Sequence, residues 1–368
     1  MKKESLLILY SFFSTRIFLF SLGVFAFLFL PKFIWFASSG HGALIEPFFR
    51  WDSEWYSSIA ENGYSYQPGG MSNVGYFPLY PLLIKLLGFL GTPLAGIIIS
   101  NLAFLISLFF LNKLFQLDYS KKVSFLALLY LLVFPASMFF SIGYSESLFF
   151  LFSVTSFYCA RRNKWGLSGI LGFLAALTRS VGVLLFPALI AEYALQNKIL
   201  SKWKINKPFR VLNKKIFPLF LIPLGTILFS LFLWIRFREP FAFIKAQQFL
   251  GDRHISFPFS SFLEIFYKPY PWVLLGLAFA IFGIIMLCLM IKKVRLSYLI
   301  YSFLMLLVPL STNSLIATHR YVLVIFPIFL ALAILTEKNK GAQNIIFWIF
   351  TLGLSAYMIL FANGWLIT

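Results

Sequence analysis

The sequence predicts an all-α polytopic membrane protein: one bundle of about eleven transmembrane helices, with two juxtamembrane helices between the first and second spans. Three observations predict it. First, of 368 residues 60% are hydrophobic and only 12% charged, with a mean hydropathy of +0.87, far outside the range of soluble domains. Second, the apolar residues fall in long runs separated by short polar breaks. Third, the net charge of +19 sits in short basic runs between those segments, as in cytoplasmic membrane loops and unlike a nucleic-acid surface.

The apolar runs are 5–30, 93–112, 123–140, 146–160, 165–178, 180–197, 216–235, 271–291, 296–311, 321–336 and 344–363. Residues 123–160 and 165–197 are each too long for one span of roughly 20 residues, and polar breaks near Ser141–Ser147 and Arg179–Gly182 divide them. The first run is too long for a signal peptide and has no small-residue cleavage site, so it is expected to stay as the first helix. Residues 77–91 are apolar but only about 15 long, with prolines at the start and Lys85 inside, short of a full crossing. With 77–91 on the surface, 20 of the 31 Lys and Arg lie in loops on one, cytoplasmic side. The N-terminus is then inside and the C-terminus outside. The basic stretch 198–215 fixes that topology and touches anionic lipid.

This orientation sends Glu46, Asp52, Glu54, Glu61, Glu146, Glu239, Asp252 and Glu264 outward, with Arg179, Arg253, His319 and Arg320. The chain is expected to be a single domain, 1–368, with outer loops at 31–92 and 237–270. Cys159 and Cys288 both fall inside predicted spans and only three histidines are present, so neither a disulfide framework nor a zinc site is expected.

Residues 50–81 form the one long polar island. Arg50, Trp51, Asp52, Glu54, Trp55, Tyr56 and Glu61 crowd into twelve positions, and such aromatic density suits a membrane–water interface. In a helix, Trp51, Trp55 and Ile59 make one apolar stripe, while Asp52 and Glu54 point about 200° apart. Asp52 falls in the first turn, where free N–H groups keep a carboxylate ionised. An ionised carboxylate on a rigid helix beside bulky rings is what a general base requires.

The order Arg-Trp-Asp-Ser-x-Trp-Tyr-x-x-Ile-Ala-x-x-Gly-Tyr from Arg50, followed by Phe77-Pro78-Leu79-Tyr80-Pro81, resembles the PIG-V-type mannosyltransferase family, whose eukaryotic members add the second mannose of GPI anchors. Tyr144-Ser145-Glu146-Ser147, Thr178-Arg179-Ser180-x-Gly182, Gln247 to Arg253, and His319-Arg320-Tyr321 leading to Phe326-Pro327 resemble further segments of that family in the same order. The resemblance implies a GT-C glycosyltransferase that takes a sugar, mannose in the eukaryotic relatives, from a polyprenyl-phosphate donor. It further implies a lipid-linked or glycan acceptor on the extracytoplasmic face.

Breaking a sugar–phosphate bond by single displacement needs a base for the acceptor hydroxyl and cations for the departing phosphate. Asp52 is the candidate base. Arg320, Arg179 and His319 are phosphate candidates, because guanidinium meets phosphate in a two-pronged geometry. Glu146 opens a span and must find a cation; Arg179 or Arg16, the latter within the first span, is the expected partner. Arg50, Trp51, Glu54, Tyr56 and Arg253 complete the expected substrate-binding set. No cofactor is demanded, although magnesium or manganese held by Asp52, Glu54 or Glu146 is an alternative, since magnesium needs only one or two carboxylates plus phosphate oxygens. The expected partners are the donor, the acceptor and membrane lipid, with no nucleic acid. The expected location is a prokaryotic plasma membrane, and the rival reading is a polytopic lipid or oligosaccharide transporter.

Overall fold

The computed structural model describes residues 3–33, 38, 40–198, 214–251 and 253–365. The expectations for residues 199–213 of the basic stretch and for Asp252 lie outside the described residues. Within them the regular structure is helix, apart from a single isolated β-bridge between Ile255 and Thr312. Helix α1 spans Lys3–Phe29, and two short helices follow, α2 (Asp52–Asn62) and α3 (Leu79–Leu86). The bundle continues with α4 (Thr92–Phe115), α5 (Lys121–Val133), α6 (Glu146–Arg161), α7 (Trp165–Thr178), α8 (Leu185–Gln196), α9 (Leu221–Phe237) and α10 (Ala242–Gly251). It ends with α11 (Pro271–Met290), α12 (Leu296–Leu310), α13 (Thr318–Val324), α14 (Phe326–Thr336) and α15 (Lys340–Ala362).

Every apolar run read from the sequence carries helix. By length and hydropathy, five helices among the described residues can each cross a membrane, α1, α4, α9 with its leading turn, α11 and α15, and α13 with α14 makes a sixth if counted as one broken span. This makes the chain a multi-pass membrane protein. The remaining helices are shorter, and at 1.5 Å per residue the eight residues of α3 reach only about 12 Å, well short of a bilayer core.

Local chemistry explains the punctuation. Pro135 follows the end of α5 and opens a 3-10 segment, Pro135–Phe140, because proline cannot donate to the helix ladder. Pro327, in the first turn of α14, likewise cannot continue the ladder of α13, and the two helices meet at a bend of 70°. Ser120 and Asn339 cap α5 and α15, accepting from the N–H groups of Val123 and Ala342. Helices α7 and α9 approach through glycine, the usual way for membrane helices to meet closely. A Cβ on Gly172 would lie 2.6 Å from Ile222, and one on Gly225 2.9 Å from the Phe173 carbonyl.

The broken segment Ser141–Ser145 is held from across the bundle. Arg16, in the middle of α1, donates to the carbonyls of Leu132 (2.9 Å) and Ser137 (3.2 Å) and to Ser141 Oγ (2.7 Å). Arg16 is therefore not the partner of Glu146 that the sequence left open: it satisfies carbonyls freed where α5 ends. The segment between α2 and α3 is pinned in turn, with Val74 and Phe77 packed on Phe229 and Leu233 of α9 and on Ala242 and Ala246 of α10.

Candidate active site

Five separate segments meet at one end of the bundle. Asp52 is the first residue of α2 and Glu146 the first of α6, so both carboxylates sit where helix N–H groups are free to stabilise negative charge. Arg179 follows directly on α7, Arg320 lies in the first turn of α13, and Arg253 lies just beyond α10. Arg320 joins the two acids, donating from Nη1 to Asp52 Oδ2 (2.6 Å) and from Nε to Glu146 Oε1 (2.5 Å). Its guanidinium also lies over the Tyr144 ring at 4.7 Å, a favourable cation–π placement. Arg179 pairs with the same oxygen of Glu146. Glu146 is fully buried, while 19% of the Asp52 side chain remains accessible, so Asp52 is the carboxylate a substrate can reach.

The other oxygen of Asp52 accepts from Tyr76 Oη at 2.9 Å, and the Asp52 N–H faces Tyr144 Oη at 3.3 Å. Tyr56 Oη and Ser145 Oγ lie 2.7 Å apart on the floor of the site. Arg253 donates to the Ile316 carbonyl, and its charge acts on Arg320, Asp52, Tyr76 and Tyr321. Trp51, ahead of Asp52, holds φ 56° and ψ −114°, a conformation that is costly for a side-chain-bearing residue. Its indole packs on the main apolar core, which fixes the entry angle of α2.

Of the sequence-predicted residues, Asp52, Tyr56, Glu146, Arg179, Arg253 and Arg320 therefore come together, with Trp51 directly behind Asp52. Arg50, Glu54 and His319 do not join them. Arg50 pairs with Glu46 at 3.4 Å. Glu54 lies on the other side of α2, where burial raises its carboxyl above the usual range despite the opposing pull of Arg50 and His41. His319 is buried among rings, with centroids 5.2 Å from Phe139 and 5.4 Å from Tyr357. Arg320, the expected phosphate cation, is here an ion-pair partner of both carboxylates. The sequence reading passed over Tyr76. Its signal was position, immediately before Phe77-Pro78.

Beside this cluster a mostly apolar cavity of about 370 Å³ runs between α2, α3, α7 and α9, lined by Pro78, Leu82, Lys85, Leu177, Phe229 and Phe232. Leu177 lies two residues before Arg179, and Pro78 two residues after Tyr76. Among the described residues no group of three or more His, Cys, Asp or Glu is placed to hold a metal ion. Magnesium at Asp52 would have to share that carboxylate with Arg320.

An all-helical, multi-pass chain with an arginine–carboxylate cluster at one bundle end is the class that fold and site define. Residues 32–242, more than half of the chain, match the family described as Mannosyltransferase (PIG-V). The chain belongs to the PIG-V mannosyltransferase family. It is similar to GPI alpha-1,6-mannosyltransferase 2 of Rattus norvegicus, 32% identical over 154 residues, covering 38% of this chain and 30% of the relative. The Homo sapiens protein of the same description is 32% identical over 185 residues, covering 47% and 36%. The matched segment thus spans about a third of the curated relatives' length. Among solved structures, an Archaeoglobus fulgidus oligosaccharyltransferase tethered to an acceptor peptide aligns over 96% of this chain and 55% of its own, at 11% identity and a TM-score of 0.49.

Proposed function

We propose that this protein transfers a sugar, mannose by family, from a polyprenyl-phosphate donor to a lipid-linked or glycan acceptor at the extracytoplasmic face, with Asp52 as base. The observation that carries the reading is a charge count. Arg179, Arg253 and Arg320 face Asp52 and Glu146 in one cluster, leaving one positive charge over. A sugar phosphodiester brings one negative charge and closes the balance. A nucleotide-activated sugar brings two.

In the reaction the acceptor oxygen forms a bond to the anomeric carbon as the anomeric carbon–oxygen bond to phosphate breaks. The acceptor proton passes to Asp52, and the electron pair leaves with the phosphate. The departing group becomes a monoester whose charge approaches about −2, so guanidinium groups fixed beside it stabilise the transition state more than the ground state. The apolar cavity next to Arg179 and Tyr76 suits the donor's isoprenoid chain. The topology that accompanies this reading has about eleven crossings, with α2 and α3 lying along the outer surface of a prokaryotic plasma membrane.

A transporter reading calls for charges along a path through the bilayer. Here the ionic clusters gather at the two ends of α6, around Glu146 at one and around Arg161, Asp118, Glu192 and Arg295 at the other. Purified protein in lipid nanodiscs, given polyprenyl-phosphate mannose and a glycolipid acceptor, should release polyprenyl phosphate. Movement of lipid without bond cleavage would sink the proposal. Running the assay with a chelator decides whether a divalent ion takes part.

A further inference from the structure

One wall of the apolar cavity leads back to the proposed base. Tyr64, immediately after the glycine that ends α2, lines the cavity together with Phe229 and Phe232 of α9, and its ring centroid lies 5.4 and 5.5 Å from theirs. Tyr64 Oη donates to the Tyr76 carbonyl at 2.8 Å. Tyr76 in turn donates from its own Oη to Asp52 Oδ1 at 2.9 Å. Two hydrogen bonds and one residue therefore separate the cavity wall from Asp52.

The surrounding contacts make this a single unit. Asn73 donates from Nδ2 to the Gly63 carbonyl at 3.1 Å and accepts at Oδ1 from the Ser65 N–H at 2.8 Å, while its own carbonyl accepts from the Tyr76 N–H at 3.2 Å. Residues 63–65 and 73–76 are thus tied side by side. The Tyr76 ring is seated on α2, edge-on to Tyr56 at 5.0 Å and stacked with Trp55 at 6.2 Å. Such ring contacts make little demand on direction, whereas a hydrogen bond weakens steeply when misaligned. The approach of the Tyr76 hydroxyl to Asp52 therefore depends on how its backbone is held, and Tyr64 holds that backbone by the carbonyl.

We infer that Tyr64 is a positioning residue for Asp52 and the point at which the donor's lipid chain is read. A hydrocarbon chain in the cavity adds van der Waals neighbours to the Tyr64 ring and so steadies the line from Tyr64 through Tyr76 to Asp52. Hydrocarbon remote from the reacting bond then raises turnover and not only donor affinity. The identity of the chain rests on the proposed donor; the hydrogen-bonded line to Asp52 does not.

Transfer kinetics of the full chain in nanodiscs test it, with a long-chain polyprenyl-phosphate mannose and one truncated to a few isoprene units. At saturation the long donor should turn over about fivefold faster. Tyr64→Phe keeps the ring in the wall and drops the hydroxyl. It should lower kcat for the long donor about fivefold, to the level of the short one, with each KM within about twofold of wild type. In a Tyr76→Phe background the same change should cost little more, because the line is already cut. A merely structural Tyr64 would slow both donors alike and add its loss to that of Tyr76→Phe. Either of those results, or equal kcat for the two donors in wild type, would overturn the inference. Hydrogen exchange at the Ser65 and Tyr76 amides supplies a readout independent of transfer. Long-chain polyprenyl phosphate should protect them more than a short-chain one does in wild type, and no more than it does in Tyr64→Phe. Transfer without that protection removes the role of Tyr64 and leaves the proposed function standing; protection without transfer does the reverse.

Discussion

Asp52 and Arg320 are separated by 268 positions in the chain and meet at 2.6 Å. Because the same guanidinium also holds Glu146, Arg320 couples the reachable carboxylate to the buried one. Arg320→Ala should therefore lower turnover by roughly 10²–10³-fold and also lower thermal stability, as a buried charge pair loses a partner. Arg320→Lys keeps the charge without the fork and should recover each only in part. Transfer kinetics and melting curves on the same preparations check this, and a variant that melts like wild type would mean the two ion pairs do not form.

Asp52→Asn should behave differently. Its carboxylate is partly accessible and its loss leaves Arg320 still paired with Glu146, so folding should be nearly unchanged while transfer falls by about 10²–10⁴-fold. Tyr76→Phe removes only the hydrogen bond to Oδ1 and should cost roughly 10-fold. A Tyr76→Phe loss as large as that of Asp52→Asn would exchange their importance.

Glu146→Gln strands Arg179 in a buried setting and leaves Arg320 paired with Asp52 alone. The expected cost is about 3–5 kcal/mol, visible as a lower melting temperature or poor recovery in detergent. Because the residues share one network, adding Arg179→Gln should restore part of the loss. Additive losses in the double variant would mean that Arg179 and Glu146 do not interact.

Gly182→Ala probes how Arg179 is placed. A Cβ there would come within 2.5 Å of backbone atoms of Ala175 and Ala176, contacts that no side chain can relieve by rotating. The substitution should cost about 1–3 kcal/mol and lower transfer by displacing Arg179. Unchanged transfer and stability would show that the turn yields.

Glu54 has a folded-state pKa raised by burial above its unfolded value. The folded chain then holds the proton more tightly, so stability falls as pH rises from the ordinary glutamate range through the raised value, and the penalty persists above it. Glu54→Gln removes the penalty. Melting curves at about pH 5 and about pH 7.5 should show a smaller drop between them for the variant than for wild type.

Much of this was legible because charge is rare in the chain. Asp52, Glu146, Arg179 and Arg320 stood out against apolar sequence, and the polar interruptions at Ser141–Ser147 and Arg179–Gly182 marked real breaks. Helical geometry also separated Glu54 from Asp52, although the motif drew both into one site. Tyr76 was hidden among 17 tyrosines, and nothing in its residue type announces a bond to a carboxylate. Arg16 was visible, but its partners were not. Backbone carbonyls have no sequence signature, so a search for a partner acid pointed to Glu146 when the demand came from a broken helix.

That arrangement bears on biogenesis. When α1 enters the bilayer, Arg16 is a charge without its acceptors, because Leu132 lies 116 positions further along the chain. At a synthesis rate of about 5–20 residues per second the wait is roughly 6–23 s. During that interval a charge near the centre of α1 costs about 2.5–3.5 kcal/mol, and the arrival of α5 and the segment after it supplies the acceptors that remove the cost. Arg16→Leu would insert sooner and leave the Leu132 and Ser137 carbonyls unserved, so the variant should trade faster integration for a looser bundle around Ser141.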